Sequence, residues 1–236
     1  MNKENVLFGI IGLLAGLIIG FFFANSVNQS AMTAASAAMQ QTSGAPSGSL
    51  PPGHPNVPGN NAGGMTPEVQ AAIDKAHQNP NDYEAQMKAA EMFYKIQRFD
   101  GAIEFLTQAN KLQPDNFEVM TDLGNANFDT DKYEEAEKWY TSALAKKPDE
   151  ADVRTDLGLT FIFREKPNYD RAIEEFKQVL SSNPSHVQAL QNLTVAYTKK
   201  PDPANAKATL AKLEEVDPSN KAITQLRGDI QKLPAK

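Results

Sequence analysis

Residues 117–150 decide the fold, and they read FEVMTDLGNANFDTDKYEEAEKWYTSALAKKPDE. The proline near the end of this stretch recurs along the chain, at spacings of 34, 34, 36 and 34 residues, as Pro80, Pro114, Pro148, Pro184 and Pro218. Alanines recur in step with the prolines, at Ala102, Ala136, Ala172 and Ala206. Self-similarity at this period predicts a stack of helical hairpins in which each hairpin buries its apolar face against its neighbours.

A polar residue that favours helix N-termini follows each proline directly. These residues are Asn81, Asp115, Asp149, Ser185 and Ser219. We expect their side-chain oxygens to accept hydrogen bonds from the free N–H groups of a first helical turn. Glu84, Glu118, Asp152 and Gln188 lie three residues further on, where they are expected to complete a capping box.

Charge is distributed unevenly along the 236 residues. No Lys, Arg, Asp or Glu occurs from residue 5 to residue 67, whereas charge is dense and mixed from Glu68 onward. The net charge of −6 argues against a nucleic-acid partner, because neutralising phosphates requires a basic face. The chain has no cysteine, which excludes disulfides, thiolate metal sites and cysteine nucleophiles.

Residues 6–24 read VLFGIIGLLAGLIIGFFFA and are expected to form a single transmembrane anchor helix. Nineteen helical residues span roughly 28 Å, close to the thickness of a bilayer core. A cleaved signal peptide is the alternative, but its apolar part is usually shorter. Lys3 precedes the segment, so we expect residues 1–5 in the cytoplasm and the repeats outside it, facing the periplasm in a bacterium.

Gly12, Gly16 and Gly20 recur every four residues within this segment. A stripe of small residues allows two membrane helices to approach closely, which makes a homodimer through the anchor one expectation. Glycine is also common in transmembrane helices that do not associate.

Residues 25–65 are rich in Ala, Ser, Gly, Pro and Asn and lack apolar periodicity. Such a segment buries too little apolar surface to offset its ordering entropy, so we expect a disordered linker. Its root-mean-square span would be roughly 35 Å.

From Tyr83 onward the residues resemble the tetratricopeptide repeat, whose pattern combines Leu-Gly, aromatic residues, alanines and a closing proline. The second repeat offers Leu123-Gly124, Ala136, Tyr140 and Pro148, and the third offers Leu157-Gly158, Phe161, Ala172 and Phe176. The expected units are a capping helix (66–79), four repeats (83–116, 117–150, 151–186 and 187–220) and a closing helix (221–233). The resemblance implies an all-α superhelical solenoid.

Nothing in the sequence indicates catalysis. It contains no phosphate-binding loop, no nucleophile elbow and no zinc-protease motif. We therefore expect no enzymatic activity, no cofactor and no metal site.

The resemblance implies a concave groove, lined by the first helix of each hairpin, that binds extended peptides. The expected groove residues are Glu91, Tyr94, Asp122, Asn125, Phe128, Asp129, Asp152, Asp156, Ile162, Phe163 and Asn192. Their acidic character predicts partner segments that are neutral to basic and partly apolar.

The predicted function is that of a membrane-anchored interaction module, which acts as a scaffold or assembly factor for cell-envelope proteins. The capping helix followed by Asn-Pro-Asn-Asp also resembles periplasmic repeat domains of cytochrome c maturation factors, although their tryptophan near Gln86 is absent. A structural organiser that oligomerises through the glycine stripe is the alternative of another class.

Overall fold

The computed structural model describes residues 66–234, which form ten α-helices and no strand. In chain order these are α1 Pro67–Gln78, α2 Tyr83–Lys95, α3 Phe99–Leu112, α4 Phe117–Phe128, α5 Tyr133–Lys146, α6 Ala151–Phe163, α7 Tyr169–Ser182, α8 Val187–Lys199, α9 Pro203–Val216 and α10 Ile223–Gln231. Within this range no helix is long and apolar enough to cross a bilayer. The expected anchor and linker, residues 6–24 and 25–65, lie outside the described residues.

The helices form antiparallel pairs that stack in sequence order. Helices α2 and α3, α4 and α5, α6 and α7, and α8 and α9 make the four hairpins, and each hairpin contacts the next. Helix α1 packs on α2 at one end, and α10 packs on α9 at the other. The prediction of an all-α helical solenoid is confirmed.

The recurring proline belongs to a β-turn rather than to a helix cap. In the second of these turns the Asn116 N–H donates to the Gln113 carbonyl at 3.1 Å, so Pro114 and Asp115 are its two central residues. Proline favours the first central position because its φ is fixed. The helix therefore begins one residue later than its expected position.

The expectation that the residue after each proline caps a helix is therefore wrong. The N-caps are Asp82, Asn116, Glu150 and His186, and all except Glu150 accept a backbone N–H through the side chain. With the N-cap displaced by one residue, Glu84 and Glu118 lie at the second rather than the third helical position. The expected capping boxes do not form.

The small residues of the first helices fit the size of the facing side chain. A Cβ atom at Gly124 would lie 2.4 Å from the Tyr140 ring, and one at Gly158 would lie 2.4 Å from the Phe176 ring. These distances are too short for any side chain, so both aromatic rings require glycine opposite them. In the fourth hairpin Thr194 occupies this position, and the facing residue is the smaller Leu210.

The insertion that lengthens one spacing to 36 residues lies between α6 and α7. Five residues, 164–168, connect these helices, compared with three between α2 and α3. Asn168 closes the loop, since its N–H donates to the Phe161 carbonyl at 2.8 Å and its side chain caps α7.

Both ends of the stack are covered. The buried Gln86 side chain donates to the Ala76 carbonyl at 2.9 Å and to the Asn79 carbonyl at 3.2 Å, which satisfies the C-terminal end of α1. At the other end α10 buries Ile223, Leu226 and Ile230. Its outward residues are polar, as terminal repeats require.

Candidate functional site: the face of the first helices

The first helices of the hairpins, α2, α4, α6 and α8, contact one another through side chains along one face, which we call the A-helix face. The Tyr94 hydroxyl on α2 donates to the Asp122 carbonyl on α4 at 3.4 Å. The Asn116 amide at the start of α4 donates to the Tyr83 hydroxyl at 3.1 Å. These bonds fix the register of neighbouring hairpins and place the expected groove residues on a common frame.

Three carboxyl groups on this face, those of Asp122, Asp129 and Asp156, form what we call the acidic cluster. Asp122 and Asp156 are partly buried, and Asp129 is exposed at the end of α4. No donor or cation among residues 66–234 lies within bonding distance of any of the three carboxyl groups. Partly buried carboxyl groups are usually paired, so this lack of partners distinguishes the cluster.

Loss of hydrating water governs the protonation of the cluster. Burial, reinforced by the charges of Asp152 and Asp129, raises the pKa of Asp156 to about 7, although His186 acts in the opposite direction. Burial and the charge of Glu118 raise the pKa of Asp122 to about 6. Removal of water, together with Asp131, raises the pKa of Asp129 to about 6. A cation would relieve this cost by favouring the charged forms.

The Tyr140 hydroxyl lies at the base of the cluster. Its ring is fully buried against Gly124, and its hydroxyl donates to the Asn125 side-chain oxygen at 2.9 Å. Burial raises the pKa of this phenol, and the nearby Asp156, Asp129 and Asp122 add to the effect. Sequence reasoning identified Tyr140 only as a packing residue. The pairing of a second-helix tyrosine with Gly124 is the signal that could have placed its hydroxyl here.

Aromatic rings adjoin the cluster at the hairpin tips. Phe128 packs edge-on against Tyr133 and Phe163, with ring centroids 5.2 and 5.9 Å apart. Tyr133 and Phe163 stack at 6.0 Å. All three rings are half-buried, which leaves apolar surface beside the carboxyl groups. Tyr133 was not among the expected groove residues.

Asp152 differs from the acidic cluster because it has a partner. Its carboxyl oxygen lies 3.0 Å from Nε2 of His186, the N-cap residue of α8. This hydrogen bond lowers the pKa of Asp152 despite partial burial. Nδ1 of His186 accepts the Ala189 N–H at 3.2 Å, so the ring is neutral and donates from Nε2.

Three other expected groove residues are less available to a partner. Glu91 pairs with Lys88 and Lys95 on its own helix, at 2.7 and 2.6 Å. Ile162 and Asn192 are each only 7% exposed and pack in the interior, because their positions turn toward the second helices. The expectation that these two line an open surface does not fit the structure.

The glycines of the expected membrane stripe, Gly12, Gly16 and Gly20, lie outside the described residues. Within residues 66–234 no group of three or more His, Asp or Glu side chains is arranged to hold a metal ion. The acidic cluster is thus spread along the face rather than gathered around one point.

Sequence profiles of the tetratricopeptide repeat match the chain, one over residues 95–156 and 164–230 and another over residues 67–116. The first alone matches more than half of the chain, which therefore belongs to the tetratricopeptide repeat family. Proteins of this family act in general as protein-interaction modules. A search of curated proteins finds no match.

Solved structures share the fold. The crystal structure of MamA is 27% identical over 64% of this chain and 86% of MamA, with a TM-score of 0.59. A MamA structure from Desulfovibrio magneticus RS-1 is 20% identical over 65% of this chain and 85% of its own, also with a TM-score of 0.59. Pseudomonas aeruginosa PilF is 17% identical over 70% and 82%, with a TM-score of 0.56.

Proposed function

We propose that the chain is a membrane-anchored interaction module that binds neutral-to-basic, partly apolar segments of partner proteins on its A-helix face. The observation that carries this proposal is the acidic cluster, whose three carboxyl groups have no partner among residues 66–234. A cationic side chain would supply the missing partner, and the adjoining aromatic rings would cover an apolar neighbour.

Charge complementarity selects the partner class. Asp122 and Asp156 would repel a segment that carries a carboxylate, since like charges placed together across an interface cost several kcal/mol. A basic segment gains attraction along the same path. We therefore expect the binding of basic segments to weaken as salt is raised.

Photo-crosslinking on the full-length chain in membranes tests the site. A photoreactive residue at Glu91 or Asp129 reports the A-helix face, and one at Glu174 or Lys177 on α7 is the matched control. We expect partner crosslinks from the first pair and few from the second. The double variant Asp122→Lys, Asp156→Lys should abolish them. Equal crosslinking from both pairs would contradict the proposal.

The anchor is proposed from residues 6–24 alone. Tethering the module at a membrane would raise the effective concentration of an envelope partner. Extraction with detergent but not with alkaline carbonate would support the anchor, whereas release by carbonate would refute it.

Self-association through the glycine stripe is a separate proposal. Gly16→Leu should abolish a crosslinked dimer, because a bulky side chain prevents close approach of two helices. Loss of the dimer with retained partner capture would identify the module, rather than the oligomer, as the working unit.

A further inference from the structure

The acidic cluster has no internal cation to fix its charge. The titratable groups that face it come from every neighbouring element and are Glu118 on α4, Asp131 in the following turn, Tyr94 on α2, Tyr140 on α5, Asp152 on α6 and His186 at the start of α8. His186 is the single basic group among them and is already bonded to Asp152. The charge of the cluster therefore depends on protons and on whatever binds to it.

Ionisation within such a cluster is cooperative in the unfavourable sense. Each carboxylate that forms raises the cost of forming the next, because the groups interact across a partly dry surface. A lysine ammonium or an arginine guanidinium placed among them reverses this cost. Binding of a cation and loss of protons are then two descriptions of one equilibrium.

We propose that the A-helix face takes up a lysine- or arginine-bearing segment as the acidic cluster releases protons, and lets the segment go when the cluster is protonated again. This inference rests on the proposed function and adds its regulation. No covalent step is involved: protons pass from the carboxyl groups to water, and the bound cation replaces them.

The position of the ionisation supports this coupling. The pKa of Asp156 is raised to about 7 and that of Asp122 to about 6 by burial, so their charge changes between about pH 5.5 and 7.5. Asp152, whose pKa is lowered by its bond to His186, stays charged throughout that range. The unpartnered carboxyl groups are therefore the ones that respond.

Calorimetry on the full-length chain tests the coupling. The probe is the peptide acetyl-Gly-Lys-Phe-Lys-Gly-amide, and its counterpart with glutamate for lysine is the charge control. We expect affinity for the lysine peptide to rise about tenfold from pH 5.5 to 7.5. Titrations at pH 6.5 in two buffers of different ionisation enthalpy should show release of about one proton per peptide.

Variants identify the proton source. The triple variant Asp122→Asn, Asp129→Asn, Asp156→Asn should bind weakly with no dependence on pH. The matched control changes three exposed acids elsewhere, Asp74, Asp115 and Asp149, to Asn and should keep the tenfold rise. His186→Asn should also keep it, which separates the cluster from the histidine that titrates in the same range.

The outcomes separate the two proposals. Binding that is equal at pH 5.5 and 7.5, or a tenfold rise that persists in the triple variant, overturns the coupling and leaves the proposed function standing. Failure of the folded chain to bind the lysine peptide at any pH contradicts the proposed function itself, and the coupling with it.

Discussion

The contact between α6 and α7 and the A-helix face both hold carboxyl groups away from bulk water, but in different ways. Glu175 on α7 is 5% exposed and accepts hydrogen bonds from Arg154 at 2.9 Å and Arg171 at 2.7 Å. Asp156 on α6 has no donor or cation within bonding distance among the described residues. The first region is complete without a partner, whereas the second gains by acquiring one.

The difference shows how charge is used in this repeat array. Ion pairs also join successive hairpins, as between Lys132 and Asp100 at 2.7 Å and between Lys146 and Asp115 at 2.5 Å. Acids that bridge helices stabilise the stack. The acids of the cluster have no such role, and burial makes their charged forms costly.

The largest effect is expected where a paired acid is lost. Glu175→Ala leaves Arg154 partly buried without its carboxylate, and we expect it to destabilise the fold by about 3 kcal/mol in denaturant unfolding. Glu174→Ala is the matched control on the same helix. It removes only an exposed pair with Arg171 and should change stability by less than about 0.5 kcal/mol. Equal losses in the two variants would show that burial of the pair does not matter.

The opposite sign is expected for the unpaired acid. A rise in pKa from 3.8 to about 7 at Asp156 means that the folded state binds its proton more tightly than the unfolded state. The wild type therefore loses stability as pH rises from about 4 to about 7, relative to Asp156→Asn. After halving for partial contact with water, we expect the variant to be about 2 kcal/mol more stable at pH 8.

The control for this substitution is its own pH profile. The advantage of Asp156→Asn should shrink to near zero at pH 4, where the carboxyl group is neutral in both states. An advantage that is constant with pH would assign the effect to packing rather than to charge, and a loss at pH 8 would mean that the carboxylate has a partner.

A smaller effect is expected at His186, which links the two kinds of acid. His186→Ala removes both the cap of α8 and the bond to Asp152, and should destabilise by about 1 kcal/mol. His186→Asn retains a capping oxygen and should recover most of the loss. Nitrogen-15 spectra should show the proton on Nε2, whereas a proton on Nδ1 would contradict the cap.

Much of the fold follows from the repeat period, because each unit buries the same apolar positions. The glycines at 124 and 158 predict close approach, and the rings of Tyr140 and Phe176 fill the space they leave. The capping residues were placed one position early because Asn81 and Asp115 have high capping propensity. Propensity alone does not show that the turn already uses these residues.

The site was predicted less completely than the fold. Acids such as Asp122 and Asp156 could be assigned to the first helices from their spacing. Which of them would be paired could not, because pairing depends on residues distant in sequence, as with His186 and Asp152, 34 positions apart. Burial of Ile162 and Asn192 likewise depends on how neighbouring hairpins turn against each other.

The protonation of Asp156 tests the central claim that the A-helix face holds carboxyl groups without partners. The carbon-13 shift of its carboxyl group, assigned with Asp156→Asn, would be followed from pH 3 to pH 9 in the free chain. The account predicts a midpoint at about 7. A midpoint near 4, the ordinary value for aspartate, would mean that a cation or donor already satisfies this group, and would contradict the account.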